Sequence, residues 1–185
     1  MTAATRHSKA MTSEFGRFVI LFNQLSEYTD AWLSRFPVEK FDWVPVETSS
    51  MKFGERVSRV TLKRLVTHLC VVERGWVEQL KTCADGATIS VPKDPELEAR
   101  LLNAGAEFLE MARQISRENA DEMSRLPASV LDKKVVFVGR QWTGMGLLWG
   151  IYAHRAFHLG NVDIYLRQAD VVAPEFFEFY APTLA

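Results

Sequence analysis

Four stretches of this chain repeat apolar residues every three or four positions, and that period commits most of the sequence to helix. Phe15, Val19, Phe22, Leu25, Tyr28 and Trp32 mark the first, from about Ser13 to Arg35. Side chains so spaced share one face of an α-helix and make an apolar stripe that must be covered. Ser13 suits the N-cap, and Pro37 closes the run because the residue before a proline leaves the helical region. A second helix is expected from about Val60 to Thr82, with Leu62, Leu65, Val66, Leu69, Val72, Trp76 and Leu80 on its buried side. A third is expected from about Pro95 to Leu126; Asp94 as N-cap, Pro95 at the first position and Glu96 in the first turn all favour a helix start. The fourth should run from Gly144 to Gln168 on Leu147, Leu148, Ile151, Tyr152, His158, Val162, Tyr165 and Leu166. Its glycines 144, 146, 150 and 160 each cost up to about 1 kcal/mol relative to alanine, a cost often accepted for close packing.

Between these runs, residues 37–57 read as an irregular connection with Pro37, Pro45 and a polar run at 47–50, and a short helical turn near Met51–Arg56. Lys134–Val138 and Gln141–Thr143 are β-like and flank Gly139-Arg140, which suggests a small hairpin. The aromatic tail after Pro174 is expected to dock on the helices. The expectation is therefore an all-α four-helix bundle with a small β-hairpin before the last long helix. Residues 12–185 would form one domain behind a flexible leader, 1–11. The second and third connections are too long to require simple up-down-up-down order.

Whole-chain numbers exclude some classes. The 185 residues are 48% apolar and 24% charged, ordinary for a soluble globular protein. A net charge of −1 gives no general pull toward nucleic acid or anionic lipid. No apolar run reaches the roughly 18–20 residues that span a bilayer, and the polar N-terminus lacks a signal-peptide pattern. Cytoplasm is the consistent compartment. Cys70 and Cys83 fall on one helix about 20 Å apart, too far for a disulfide, so both should be reduced and structural.

The chemistry concentrates in the histidines. His154 and His158 are four residues apart in the last helix, on one face and about 6 Å apart along the axis. His68 lies at the edge of the apolar stripe of the second helix. Bundles build metal sites from facing helices, and three imidazoles leave positions open for water or substrate. His7 is excluded by its place in the polar leader. The pair is not the zincin motif, which puts glutamate directly after the first histidine; here Arg155, Ala156 and Phe157 intervene.

The segment 152–167, YAHRAFHLGNVDIYLR, resembles the closing-helix signature of the DinB-like (YfiT-like) metal-dependent proteins, H-x-x-x-H-x-G-Q followed by an apolar stretch and Y-L-R. Thr67-His68-Leu69, with Glu73 and Trp76 beyond, is similar to that family's first histidine helix. The likeness extends over roughly residues 13–180. It implies a bundle in up-down-down-up order, often dimeric, with a divalent ion held at His68, His154 and His158. Two positions depart: Asn161 stands for the usual glutamine and Leu159 for a commonly basic residue. Asparagine keeps an amide within shorter reach.

Three neutral imidazoles leave an ion its full double positive charge, which polarises a bound oxygen or lowers the pKa of a bound water or thiol. Zinc, nickel, iron or copper would suit the donors. Relatives that are thiol-dependent transferases or isomerases imply a metal- and thiol-dependent transferase or hydrolase acting on a small electrophile. The partners expected are a small-molecule substrate, a low-molecular-weight thiol and a second copy in a homodimer. The alternatives are a metal- or ligand-binding stress protein without turnover, and a metal-free structural helical dimer. The catalytic residues are unknown at this level. Glu73, Asp163 and Asp42 are the carboxylates to look for, although Glu73 is about 140° round the helix from His68 and better read as solvated or salt-bridged. Arg155 either reaches an anionic substrate or thiol carboxylate, or only faces solvent or pairs with an acid. Trp43, Trp76, Trp142, Trp149 and Phe157 are candidates for an aromatic pocket wall, most of them serving the core or an interface.

Overall fold

The computed structural model describes residues 13–44 and 60–175, and there the first apolar run is helix α1 (Glu14–Arg35). A 3-10 turn follows at Val38–Lys40. The chain continues through α2 (Leu62–Thr82), strand β1 (Ala87–Thr88), α3 (Pro95–Asn103), α4 (Phe108–Ser124), α5 (Ala128–Leu131), β2 (Lys134–Phe137), β3 (Arg140–Thr143) and α6 (Gly144–Gln168). Four helices start on a side-chain cap. Ser13, Thr61, Asp94 and Thr143 accept from the backbone N–H three residues on, at 2.9–3.1 Å. Each such cap is worth about 1 kcal/mol. The last turn of α6 closes as a Schellman motif: Asp170, at φ 61°, donates to the Arg167 carbonyl and Val171 to that of Leu166.

Named contacts give the direction of every long helix. Trp149 near the start of α6 donates to Glu14 at the start of α1, and Arg35 at the end of α1 reaches Val172 beyond α6, so α1 and α6 run parallel. Tyr165 near the end of α6 donates to Val60 just before α2, and Lys133 just before β2 caps the end of α2, so α2 opposes α6. Arg113, early in α4, clasps Asp30 and Ser34, late in α1. Arg74 meets Glu118 and Lys81 meets Glu122, so α4 runs with α2. The order is up-down-down-up. α1 packs on α4 and α6, α2 packs on the same two helices, and α1 and α2 stand diagonally.

The core has two lobes. Phe18, Phe22, Leu80, Leu148 and Ile151 fill one end, and Leu62, Leu101, Phe108 and Leu166 the other. Full burial of such a side chain contributes about 1.5–3 kcal/mol. At the start of α6 a Cβ on Gly144 would lie 2.0 Å from the Val130 carbonyl oxygen, so here the glycine does permit a close approach. Gly160, by contrast, opens outward with nothing near it. It belongs to an apolar stripe on the outer side of α6, with Ala153, Ala156, Phe157 (69% exposed) and Ile164 (53% exposed). No helix among the described residues is long and apolar enough to cross a membrane.

Three details differ from the sequence reading. The expected third helix breaks into α3 and α4. In a continuous helix the Ala104 carbonyl would accept from the Phe108 N–H; instead it accepts from the buried Lys63 ammonium at 2.5 Å, and Phe108 turns to Gly105. A cation arriving from α2 thus replaces one helical bond and fixes the bend. The hairpin forms, but its turn is Val138-Gly139 rather than Gly139-Arg140. Both residues have positive φ, 51° and 69°, as a type I′ turn needs. A third strand, β1, pairs parallel to β2 through Ala87–Val135 and Thr88–Val136. The leader, the turn near residues 51–56 and the aromatic tail beyond residue 175 lie outside the described residues. Cys70 and Cys83 are both free thiols, as expected. Cys70 is buried, and burial pushes its thiol up to about 12.

Candidate metal centre

Antiparallel packing of α2 on α6 brings the middle of one helix against the middle of the other, and there the three histidines meet. His154 Nε2 lies 3.1 Å from His68 Nε2 and 3.1 Å from His158 Nε2. The three ligand nitrogens all fall within 4.8 Å of one another. His68 and His154 are half-buried and His158 is buried. The four-residue spacing on α6 sets the second pair; the register of α2 against α6 sets the first.

The donor set fits a divalent transition metal. Nitrogens bound at 2.0–2.1 Å around a four-coordinate ion stand about 3.4 Å apart, close to the spacings seen. His154 Nε2 carries one proton or one lone pair and faces two other ring nitrogens, so it serves one of them at most. Burial pushes His68 down to about 4, helped by His158, and His154 down to about 3, helped by both other rings and Arg155. His158 is also lowered by burial. The rings are therefore neutral near pH 7, the form that donates a lone pair to a metal.

What orients the rings is uneven. The Asn161 amide lies 3.3 Å from His158 Nδ1, so the departure from glutamine still leaves an amide at the ring. An amide turned with its oxygen toward Nδ1–H leaves Nε2 free to bind. Among the described residues His154 Nδ1, buried, has no hydrogen-bond partner, and the Trp76 ring stands edge-on at 5.1 Å. Phe157 stands edge-on to His158 at 5.2 Å. Of the five aromatics considered for a pocket wall, these two touch the imidazoles. Trp142 donates to Phe137 inside the hairpin, Trp149 donates to Glu14, and Trp43 packs beside Lys40.

Among the described residues no carboxylate joins the imidazole cluster. Asp42 is largely exposed, 3.7 Å from Lys63, and Asp163 accepts from Arg167. Glu73 sits behind the histidines, fully buried. Its two oxygens accept from Arg155 Nε and NH2 at 2.9 and 2.6 Å. Burial raises the Glu73 carboxyl, and the guanidinium offsets part of that. Arg155 is 2% exposed; it also donates to Ser116 on α4 at 2.8 Å and lies 5.2 Å from the Phe22 ring of α1. Of the roles open to Arg155, pairing with an acid is the one realised. Both charges sit inside apolar stripes, Glu73 beside Val72 and Arg155 four residues after Ile151; that misplacement is the sequence signal for the pair. A cavity of about 460 Å³ opens between α1 and α4, with Arg155, Cys70 and Ser116 in its wall. None of the three histidines is among the residues that line it.

Solved structures share this fold. A DinB-like protein of Bacillus subtilis (YjoA) superposes with a TM-score of 0.63 at 18% identity, covering 86% of this chain and 96% of its own. YfiT of the same organism superposes with a TM-score of 0.58 at 11% identity, covering 93% and 95%. It is described as "a probable metal-dependent hydrolase with an unusual four-helix bundle topology". At these identities the likeness shows the fold. No curated protein matches the chain. The DinB family model matches residues 11–181, nearly the whole length, and the chain belongs to the DinB family.

Proposed function

We propose that the protein binds one divalent transition metal through His68, His154 and His158 and uses it to hydrolyse, or transfer a small thiol to, a small electrophilic substrate. The observation that carries this is the meeting of three neutral imidazole nitrogens from two helices at metal-binding separations. An ion there would supply a Lewis-acid charge undiminished by anionic ligands, able to polarise a carbonyl or activate water or a thiol. The imidazoles hold positions, Asn161 orients His158, and the Trp76 ring covers one side of His154. No carboxylate among the described residues stands ready as a general base, which favours a nucleophile activated by the ion itself. YfiT's description favours hydrolysis over transfer. The outer stripe of α6 supports a homodimer: Phe157 projects, Gly160 one turn on leaves a hollow, and two copies related by a twofold axis can place each projection in the other's hollow.

Elemental analysis of untagged protein should find about one transition metal per chain, and His154→Ala should lose it. Hydrolysis of a panel of activated esters and amides, or thiol-dependent consumption of an electrophile, should vanish on chelation and return with metal. Stoichiometric metal with no turnover on either panel leaves a non-catalytic binding protein. Metal-free protein, unchanged by His154→Ala, leaves a structural dimer and removes the proposal.

A further inference from the structure

We infer that the buried Glu73–Arg155 pair is the positioning device of the metal centre: it sets how α2 and α6 are aligned and thereby the separation of the three imidazole nitrogens. This rests on the metal-binding reading of the histidines.

The pair lies where it can act. Arg155 directly follows His154 and precedes His158 by three, and Glu73 is five residues after His68, so α2 carries one ligand and one partner of the pair, and α6 two ligands and the other partner, each within two turns. The guanidinium meets the carboxylate through two parallel bonds, 2.9 and 2.6 Å. Such a fork fixes distance and in-plane orientation together, whereas apolar contacts tolerate sliding. The same guanidinium reaches Ser116 on α4 and the Phe22 ring on α1. One side chain therefore references all four long helices.

Two observations argue against mere stability as its role. Both partners are almost wholly buried, 0% and 2% exposed, and a buried ion pair is often matched or bettered in stability by apolar residues of similar volume. And among the described residues the middle ligand has no hydrogen-bonded guide. A ligating histidine is ordinarily oriented by a hydrogen bond at its second nitrogen, but His154 Nδ1 has none. The position of His154 follows from its backbone, and the next residue on that backbone is Arg155.

The test is a Co(II) titration of metal-free protein followed by visible absorption, with thermal unfolding measured alongside. Wild-type protein should bind one Co(II) with a defined ligand-field spectrum. The double variant Glu73→Met/Arg155→Met should keep a cooperative fold yet bind Co(II) about ten- to a hundredfold more weakly with a shifted spectrum. Arg155→Lys keeps the charge but not the fork, should also weaken and shift the cobalt signal, and decides the matter if the double variant does not fold. A folded variant with wild-type affinity and spectrum overturns the positioning role while leaving the metal site intact. Wild-type protein that binds no Co(II) overturns both.

Discussion

Val138 shows how one residue can carry a local cost that a neighbouring position hides. The hairpin turn needs positive φ at both central residues; glycine at 139 adopts it freely, but a β-branched side chain at φ 51° does not. Such a conformation costs on the order of 1–3 kcal/mol. The Val138 side chain is 76% exposed and has little burial to lose. Val138→Asn should therefore stabilise the protein by about 1 kcal/mol, read as a higher thermal midpoint; an unchanged or lower midpoint would mean the turn is not strained. The same position explains why the turn was misplaced by one residue in sequence. Gly139 announces a turn, but Val138 reads as the end of a strand. Site residues divide in the same way. The three histidines were legible because ligand chemistry and helical spacing are both local. Glu73 and Arg155 show in sequence as charges inside apolar stripes, but that they meet each other does not, because it depends on the register of two helices about eighty residues apart.

At the scale of elements, helix ends were the most readable feature. α1, α2 and α6 begin and end within two residues of where their apolar periods put them, since signals such as Ser13 and Pro37 act on their own neighbourhood. The break between α3 and α4 was invisible, because the group that makes it, Lys63, comes from another helix. β1 was missed because two residues are too short to show alternation. α6 is the element whose outer face asks for a partner: its exposed stripe runs Ala153, Ala156, Phe157, Gly160, Ile164 without a charge. Phe157→Asp should convert a dimer to a monomer in light scattering coupled to size exclusion, with the far-ultraviolet helical signal unchanged. A dimer that survives the substitution would exclude α6 as its interface.

For the whole molecule, the buried imidazoles tie stability to acidity. Their folded pKa values lie below the ordinary 6.5, at about 4 for His68 and about 3 for His154. Between pH 6.5 and about 4 these rings bind more protons in the unfolded chain than in the folded one, so the stability they contribute falls as the pH falls through that window. Denaturant midpoints of metal-free protein should drop from pH 7 to pH 4. The triple variant His68→Gln/His154→Gln/His158→Gln should drop less; equal slopes would show that the rings are not held neutral.

The diagonal placement of α1 and α2 bears on how a nascent chain assembles. Helices made in succession usually zip into a local pair, but these two do not share a face. α1 finds its neighbours only once synthesis has passed Phe108 for α4 and Gly144 for α6. Neither helix can cover its apolar side until more than half of the chain has been made. Assembly then proceeds by long-range capture, slower than in a bundle of successive hairpins.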